Sequence, residues 1–188
     1  MNQEILRFFN LSGYPFTKEI ATEKLLELPS TQSRLAGLKL LVDTRGIGVL
    51  TGKSGTGKSC LLRLLLKELH TGLYKPVYLA HTSVGVPEFY SHLADALGLA
   101  STGRRATLYR AIHERILTQH RQGRIHTVLV LDEAHLLSID VLKELRLLAN
   151  YEVDSVNAMT ILLCGQQSLL QKFGLSTLEP LANSITVS

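Results

Sequence analysis

From residue 46 onward the chain alternates short, continuously apolar runs with longer segments whose apolar positions recur at helical spacing. The runs predict strands at 46–51, 76–81, 126–132, 158–164 and 184–188, and the periodic segments predict helices near 57–71, 86–98, 104–122, 138–151 and 167–173. Val128-Leu129-Val130-Leu131 and Ile161-Leu162-Leu163-Cys164 offer no polar side chain to water. Strands of that kind are buried on both faces, which predicts an α/β fold with a parallel sheet covered by helices on two sides. Upstream, Glu4–Phe9 reads as a short helix ended by Gly13-Tyr14-Pro15-Phe16, and Pro29-Ser30 opens a helix over Thr31–Asp43 with Ser30 as its cap. Residues 1–30 are therefore expected to be a lead-in and residues 31–188 the core.

The turn between the first predicted strand and the first core helix reads Gly52-Lys53-Ser54-Gly55-Thr56-Gly57-Lys58-Ser59, followed by Cys60. A strand, a glycine loop ending in Lys-Ser and a helix form the phosphate-binding loop, or Walker A motif. The glycines let the backbone turn where a Cβ would forbid it and bring N–H groups close to phosphate oxygens. The helix that begins near Gly57 adds unpaired first-turn N–H groups and a dipole that favour an anion. Lys58 places a point charge toward the terminal phosphates, and the Ser59 hydroxyl suits Mg²⁺. Residues Gly52 to Cys60 are the candidate nucleotide cradle, with ATP as ligand.

The buried run Val128–Leu131 ends in Asp132-Glu133-Ala134-His135. In a parallel sheet the carboxyl ends of the strands share one edge, where ligands bind, so these acids and the glycine loop are expected at the same rim. Asp132 fits the Mg²⁺ shell as a Walker B carboxylate, while Glu133 can orient and deprotonate an attacking water. His135 reads as a packing or loop residue, because Glu133 already fills the water-orienting role. After the next strand comes Gly165-Gln166-Gln167, where Gln166 is either a sensor of the γ-phosphate, with Gln167 second, or a helix cap. The letters Asp-Glu-Ala-His also match the DEAH helicases, but those use two motor domains in tandem and 188 residues hold one.

Composition narrows the classes. Hydrophobic residues make up 45% and charged ones 19%, which suits a globular domain. No apolar run reaches the length of a membrane span, and Met1-Asn2-Gln3-Glu4 does not begin a secretion signal, so a cytoplasmic protein away from the membrane is expected. Cys60 and Cys164 are expected to be buried, reduced thiols without a catalytic role. The net charge is +4, yet the six arginines between Arg104 and Arg124 face one acid, Glu114, so the positive excess is concentrated there. That segment is either a nucleic-acid surface, with Arg104 and Arg105 as contacts to double-stranded DNA, or a solvated helix face.

These motifs together resemble an AAA+ ATPase of the ORC/DEAH-like branch. The lead-in Phe8-Phe9-Asn10-Leu11 through Gly13-Tyr14-Pro15-Phe16-Thr17-Lys18-Glu19, with Leu162-Leu163-Cys164-Gly165-Gln166, is similar to the ExeA-type and TniB/TnsC/MuB-type ATPases, many of which are encoded beside transposases. The resemblance implies a three-layer P-loop NTPase core with strand order 5-1-4-3-2, Mg-ATP bound between subunits and hydrolysed, and ATP-dependent assembly of a homo-oligomer, ring or filament, on DNA. It implies a role in transposition, through target choice and transposase recruitment. The alternative it carries is an ExeA-type component of a secretion or envelope-assembly system with protein partners. Tyr14 and Phe16 either pack on the domain or approach the base.

Two departures from the family pattern set further expectations. A helical lid with a second sensor arginine is absent from this chain. The arginine finger belongs shortly before the fifth strand, where the chain reads Pro180-Leu181-Ala182-Asn183-Ser184 and Lys172 is the last cation, so slow hydrolysis is expected.

Overall fold

The computed structural model of the chain describes residues 3–14, 17, 20–25, 28–80, 82–151 and 156–187. Among them five strands, β1 (Ile47–Thr51), β2 (Tyr74–Leu79), β3 (His126–Leu131), β4 (Met159–Gly165) and β5 (Ile185–Val187), form one parallel sheet in the order β2-β3-β4-β1-β5. Read from the other edge this is 5-1-4-3-2, the order the resemblance implies. The core helices are α2 (Pro29–Thr44), α3 (Lys58–Glu68), α4 (Val86–Ala96), α5 (Arg105–Gln122), α6 (Ile139–Ala149), α7 (Ser168–Phe173) and α8 (Glu179–Ala182), after a short α1 (Gln3–Phe8).

Alternation within the buried strands sorts the helices into two layers. Val128, Val130, Leu162 and Cys164 face Leu38, Leu41, Leu61 and Leu65 of α2 and α3. Leu129, Leu131, Ile161 and Leu163 face the opposite way, onto Leu93, Ile112, Ile116, Leu142 and Leu145 of α4, α5 and α6. Every residue of β3 and β4 is buried, which is why neither strand shows polar alternation. The three-layer architecture follows from packing an apolar helix stripe on each face.

Several boundaries differ from the pattern reading for local reasons. β2 starts at Tyr74, in register with His126, and Pro76 lies inside it; a proline is tolerated there because β2 is an edge strand with one row of amides unpaired. Ser30 does not cap α2. The helix begins at Pro29, and Leu28 holds the extended N-cap position without a side-chain cap bond, as expected for a residue whose α conformation the following proline disfavours. α3 stops at Glu68 and α6 at Ala149, short of 71 and 151, while α8 is a single turn too brief to show periodicity.

Candidate functional site

β1 and β3 lie on either side of β4, with Thr51 paired to Gly165 and Leu131 to Leu163. The loop after β1 and the turn after β3 therefore leave the same edge one strand apart. Gly55 and Gly57 take φ of 79° and 86°, the left-handed conformation that a Cβ penalises, and α3 starts at Lys58 with Gly57 as its N-cap. The Lys58 ammonium donates to the carbonyls of Gly52 and Lys53, each at 3.0 Å. Two of its three protons thus brace the loop, and the third remains for an anion in the cradle. Thr56 adds an Oγ1 bond to the Lys53 carbonyl at 2.9 Å.

The loop floors a cleft of about 580 Å³ whose walls include Leu25, Leu28, Leu61 and Leu64, with Thr31, Arg34 and Gln167 at its margin. That volume, with an apolar wall beside a row of backbone donors, suits a nucleotide, whose base is apolar on its faces and whose tail is anionic. Leu25 and Leu28 escaped the sequence reading, because their part in the wall depends on how the lead-in folds over α3. Tyr14 does not line the cleft, and Phe16 lies outside the described residues. Cys60, expected to be buried, is exposed and lines the cleft. The buried stripe of α3 is Leu61, Leu62, Leu64 and Leu65, and position 60 turns off it.

On the acid side, Asp132 is nearly buried. Its Oδ2 accepts from the Tyr78 hydroxyl at 2.6 Å and its Oδ1 from the Glu133 amide at 2.9 Å. Burial first, then the nearby Asp132 carboxylate, push the buried Cys164 thiol up to about 12, with the Lys58 charge acting in the opposite direction. Cys164 thus feels both Lys58 and Asp132. Glu133 sits in the left-handed region with φ 50°, its carbonyl accepting from the Thr82 Oγ1 at 3.0 Å. Asn10, Arg45 and Arg124 take the same conformation elsewhere, and at Glu133 it turns the chain out of β3 into the next helical turn. Its side chain is half-exposed, with Oε2 at 3.3 Å from His135 Nδ1.

The exposed Ser59 hydroxyl at the start of α3 and the Asp132 carboxylate after β3 are hard oxygen donors on the two motifs that leave this edge of the sheet. Among the described residues no group of three His, Cys, Asp or Glu side chains forms a metal cage. A hydroxyl plus one carboxylate, with phosphate and water completing the shell, is the donor set Mg²⁺ takes. Of the two glutamines after β4, Gln167 lines the cleft, while the backbone amide of Gln166 meets His135 Nδ1 at 3.4 Å. No side-chain cap bond is made at the start of α7.

A family model described as AAA domain matches residues 41–173, most of the chain, including both motifs. The chain belongs to the AAA domain family. It is 32% identical over 183 residues to General secretion pathway protein A of Aeromonas hydrophila, covering 96% of this chain and 33% of that protein. The AAA fold is shared with Cdc6p of Pyrobaculum aerophilum, at TM-score 0.69 and 20% identity, over 92% of this chain and 48% of that one. The ORC2 protein of Aeropyrum pernix, solved in ADPNP–ADP complexes, matches at TM-score 0.71 and 14% identity, over 92% and 49%. The ORC1 protein of Aeropyrum pernix in complex with DNA matches at 0.67 and 19%, over 92% and 47%. The chain spans about a third of the curated relative and about half of these solved chains.

Arg105 ion-pairs with Glu144 of α6, and its guanidinium carbon lies 5.9 Å from the centre of the Tyr90 ring. Arg104 is exposed at the N-cap of α5. Lys172 donates to the carbonyls of His135 and Leu137 at 2.6 and 2.7 Å, so its charge is held inside the domain. Ahead of β5, where the sequence has no arginine, Arg146 of α6 reaches across to the Ser184 Oγ at 3.1 Å. No helix among the described residues is long and apolar enough to cross a membrane.

Proposed function

We propose that this AAA domain binds Mg-ATP in the cleft above Lys58 and hydrolyses it. The observation that carries the reading is the shared rim: the loop after β1 and the Asp132-Glu133 turn after β3 flank the end of β4. Gly52 to Cys60 cradle the phosphates, with Lys58 supplying the cation. Ser59 and Asp132 would hold Mg²⁺, which neutralises charge on the phosphate oxygens when bound. Glu133 orients and deprotonates the attacking water, and Gln166, with Gln167 beside it, reads the γ-phosphate. Glu133→Gln should bind ATP and fail to cleave it; normal cleavage by that variant would refute the assignment of the base.

For the wider role we propose a homo-oligomer, ring or filament, that assembles on double-stranded DNA with ATP and regulates transposition through a transposase. Support comes from the lead-in resemblance and the arginine-rich segment at α5. Sedimentation with duplex DNA across a salt series tests it: binding that needs ATP and falls with salt is expected. Binding indifferent to both would overturn it. The second reading, an ATPase of a secretion system acting on protein, is favoured by the identity to General secretion pathway protein A. It predicts no ATP-dependent DNA binding and ATP-dependent capture of an envelope protein.

A further inference from the structure

His135 occupies a position that packing alone does not account for. Its Nδ1 lies 3.3 Å from Glu133 Oε2 and 3.4 Å from the Gln166 backbone nitrogen, and the side chain is 12% exposed. The surrounding turn is held from several sides. Lys172 of α7 donates to the carbonyl of His135 itself. At Gly165, the last residue of β4, a Cβ would stand 3.0 Å from the His135 nitrogen and 3.4 Å from Nδ1, so the turn packs tightly on the strand end. Thr82 and Asp132 fix the carbonyl and amide of Glu133. Once its backbone is pinned, the remaining freedom of Glu133 is in its side chain, and His135 is the group that meets it.

We propose that His135 is a positioning residue for hydrolysis, its Nδ1 donating to the Glu133 carboxylate so that the general base holds one orientation beside the end of β4. The inference rests on the reading of Glu133 as the base. One ring nitrogen donates to Glu133 or accepts from the Gln166 amide, never both at once, so the two contacts are alternative states of a single link. When Nδ1 donates to Glu133 the carboxylate is held and its Oε1 is left for water; when Nδ1 accepts from the Gln166 amide the carboxylate is released. Without the ring, a half-exposed glutamate samples several rotamers, and few of them aim a base.

Single-turnover cleavage, with protein in excess over radiolabelled Mg-ATP, and ATP affinity by calorimetry test this in the full chain. His135→Ala should slow cleavage by about 10- to 100-fold while leaving ATP affinity within about twofold, the range seen when a supporting hydrogen bond to a catalytic ligand is lost. His135→Asn, whose amide can occupy the place of Nδ1, should restore the rate to within about threefold of wild type. In the Glu133→Gln background His135→Ala should add no further loss. A wild-type rate for His135→Ala, an Asn variant as slow as the Ala variant, or affinity falling in step with rate would overturn the proposal. Normal cleavage by Glu133→Gln, or ATP binding without any cleavage by the wild-type chain, would instead overturn the hydrolysis reading beneath it.

Discussion

The Tyr78 hydroxyl of edge strand β2 donates to the Asp132 carboxylate at the end of β3 across 2.6 Å. Burial and that carboxylate raise the tyrosine's pKa, so it stays a donor at any physiological pH. Tyr78→Phe removes an orienting bond from the carboxylate assigned to the Mg²⁺ shell. Outer-shell partners of this kind typically contribute 10- to 100-fold in metal affinity or activity, so the Mg²⁺ concentration that half-saturates ATP binding should rise by about 10-fold. A magnesium titration followed by a fluorescent ATP analogue measures it, and an unchanged midpoint would remove Tyr78 from the site.

The two cysteines report on the cleft by their reactivity. Cys60 is exposed at the cradle, whereas Cys164 is buried with its thiol pushed up to about 12. Thiolate is the reactive form. A maleimide should label Cys60 quickly and Cys164 only on unfolding, and Mg-ATP should slow labelling of Cys60 by about the fraction of sites filled. Mass spectrometry of digested, labelled protein decides this; equal labelling with and without ATP would place the nucleotide elsewhere.

His126 gives the fold a pH dependence. Burial first, and the charges of Arg45 and His120 after it, lower its pKa from 6.5 to about 4, and its Nδ1 has no hydrogen-bond partner. Below the ordinary value the unfolded chain takes up a proton that the folded chain refuses until about pH 4. Stability contributed by His126 is therefore intact near neutrality and falls as pH drops through that window, at no more than about 1.4 kcal/mol per pH unit. Urea unfolding of wild type and His126→Gln from pH 7.5 to 4.5 should show the variant losing less stability on acidification. Parallel curves would contradict the assignment.

Arg104 and Arg105 should part company. Arg105 is engaged with Glu144, itself partly buried and bonded to the Tyr90 hydroxyl at 2.7 Å, so Arg105→Ala leaves that carboxylate one partner short at a cost of about 1 kcal/mol. Its melting temperature should fall while DNA affinity holds. Arg104→Ala should leave melting unchanged and, if α5 meets phosphates, reduce the salt slope of DNA binding by about one. Both variants behaving alike would show that the Glu144 pair does not set the difference.

The parts of the site legible in the sequence are those written in adjacent residues. Gly52 to Ser59 and Asp132-Glu133 declare themselves because each strand delivers its motif directly, and a parallel sheet brings strand ends to one edge. The order of the strands came from the family resemblance, since pattern alone does not rank neighbours in a sheet. Leu25 and Leu28 were hidden because wall residues from a lead-in carry no motif. Cys60 was misjudged because one position of helix phase separates the buried stripe from the cleft. Ser30 looked like a cap until Pro29 took the first helical position. His135 reads as a packing or loop residue in the sequence, and its contacts with Glu133 and Gln166 are not legible there because the two turns meet only in the fold.

Whether Lys58 and Asp132 serve one Mg-ATP is decided by calorimetric titration of the chain with Mg-ATP, run beside Lys58→Ala. A measurable heat of association is expected for the wild-type chain, and affinity lower by at least about tenfold for the variant, since a charge-assisted contact to phosphate is lost. A folded wild-type protein that gives no heat, or a Lys58→Ala variant that binds equally well, would contradict that shared role.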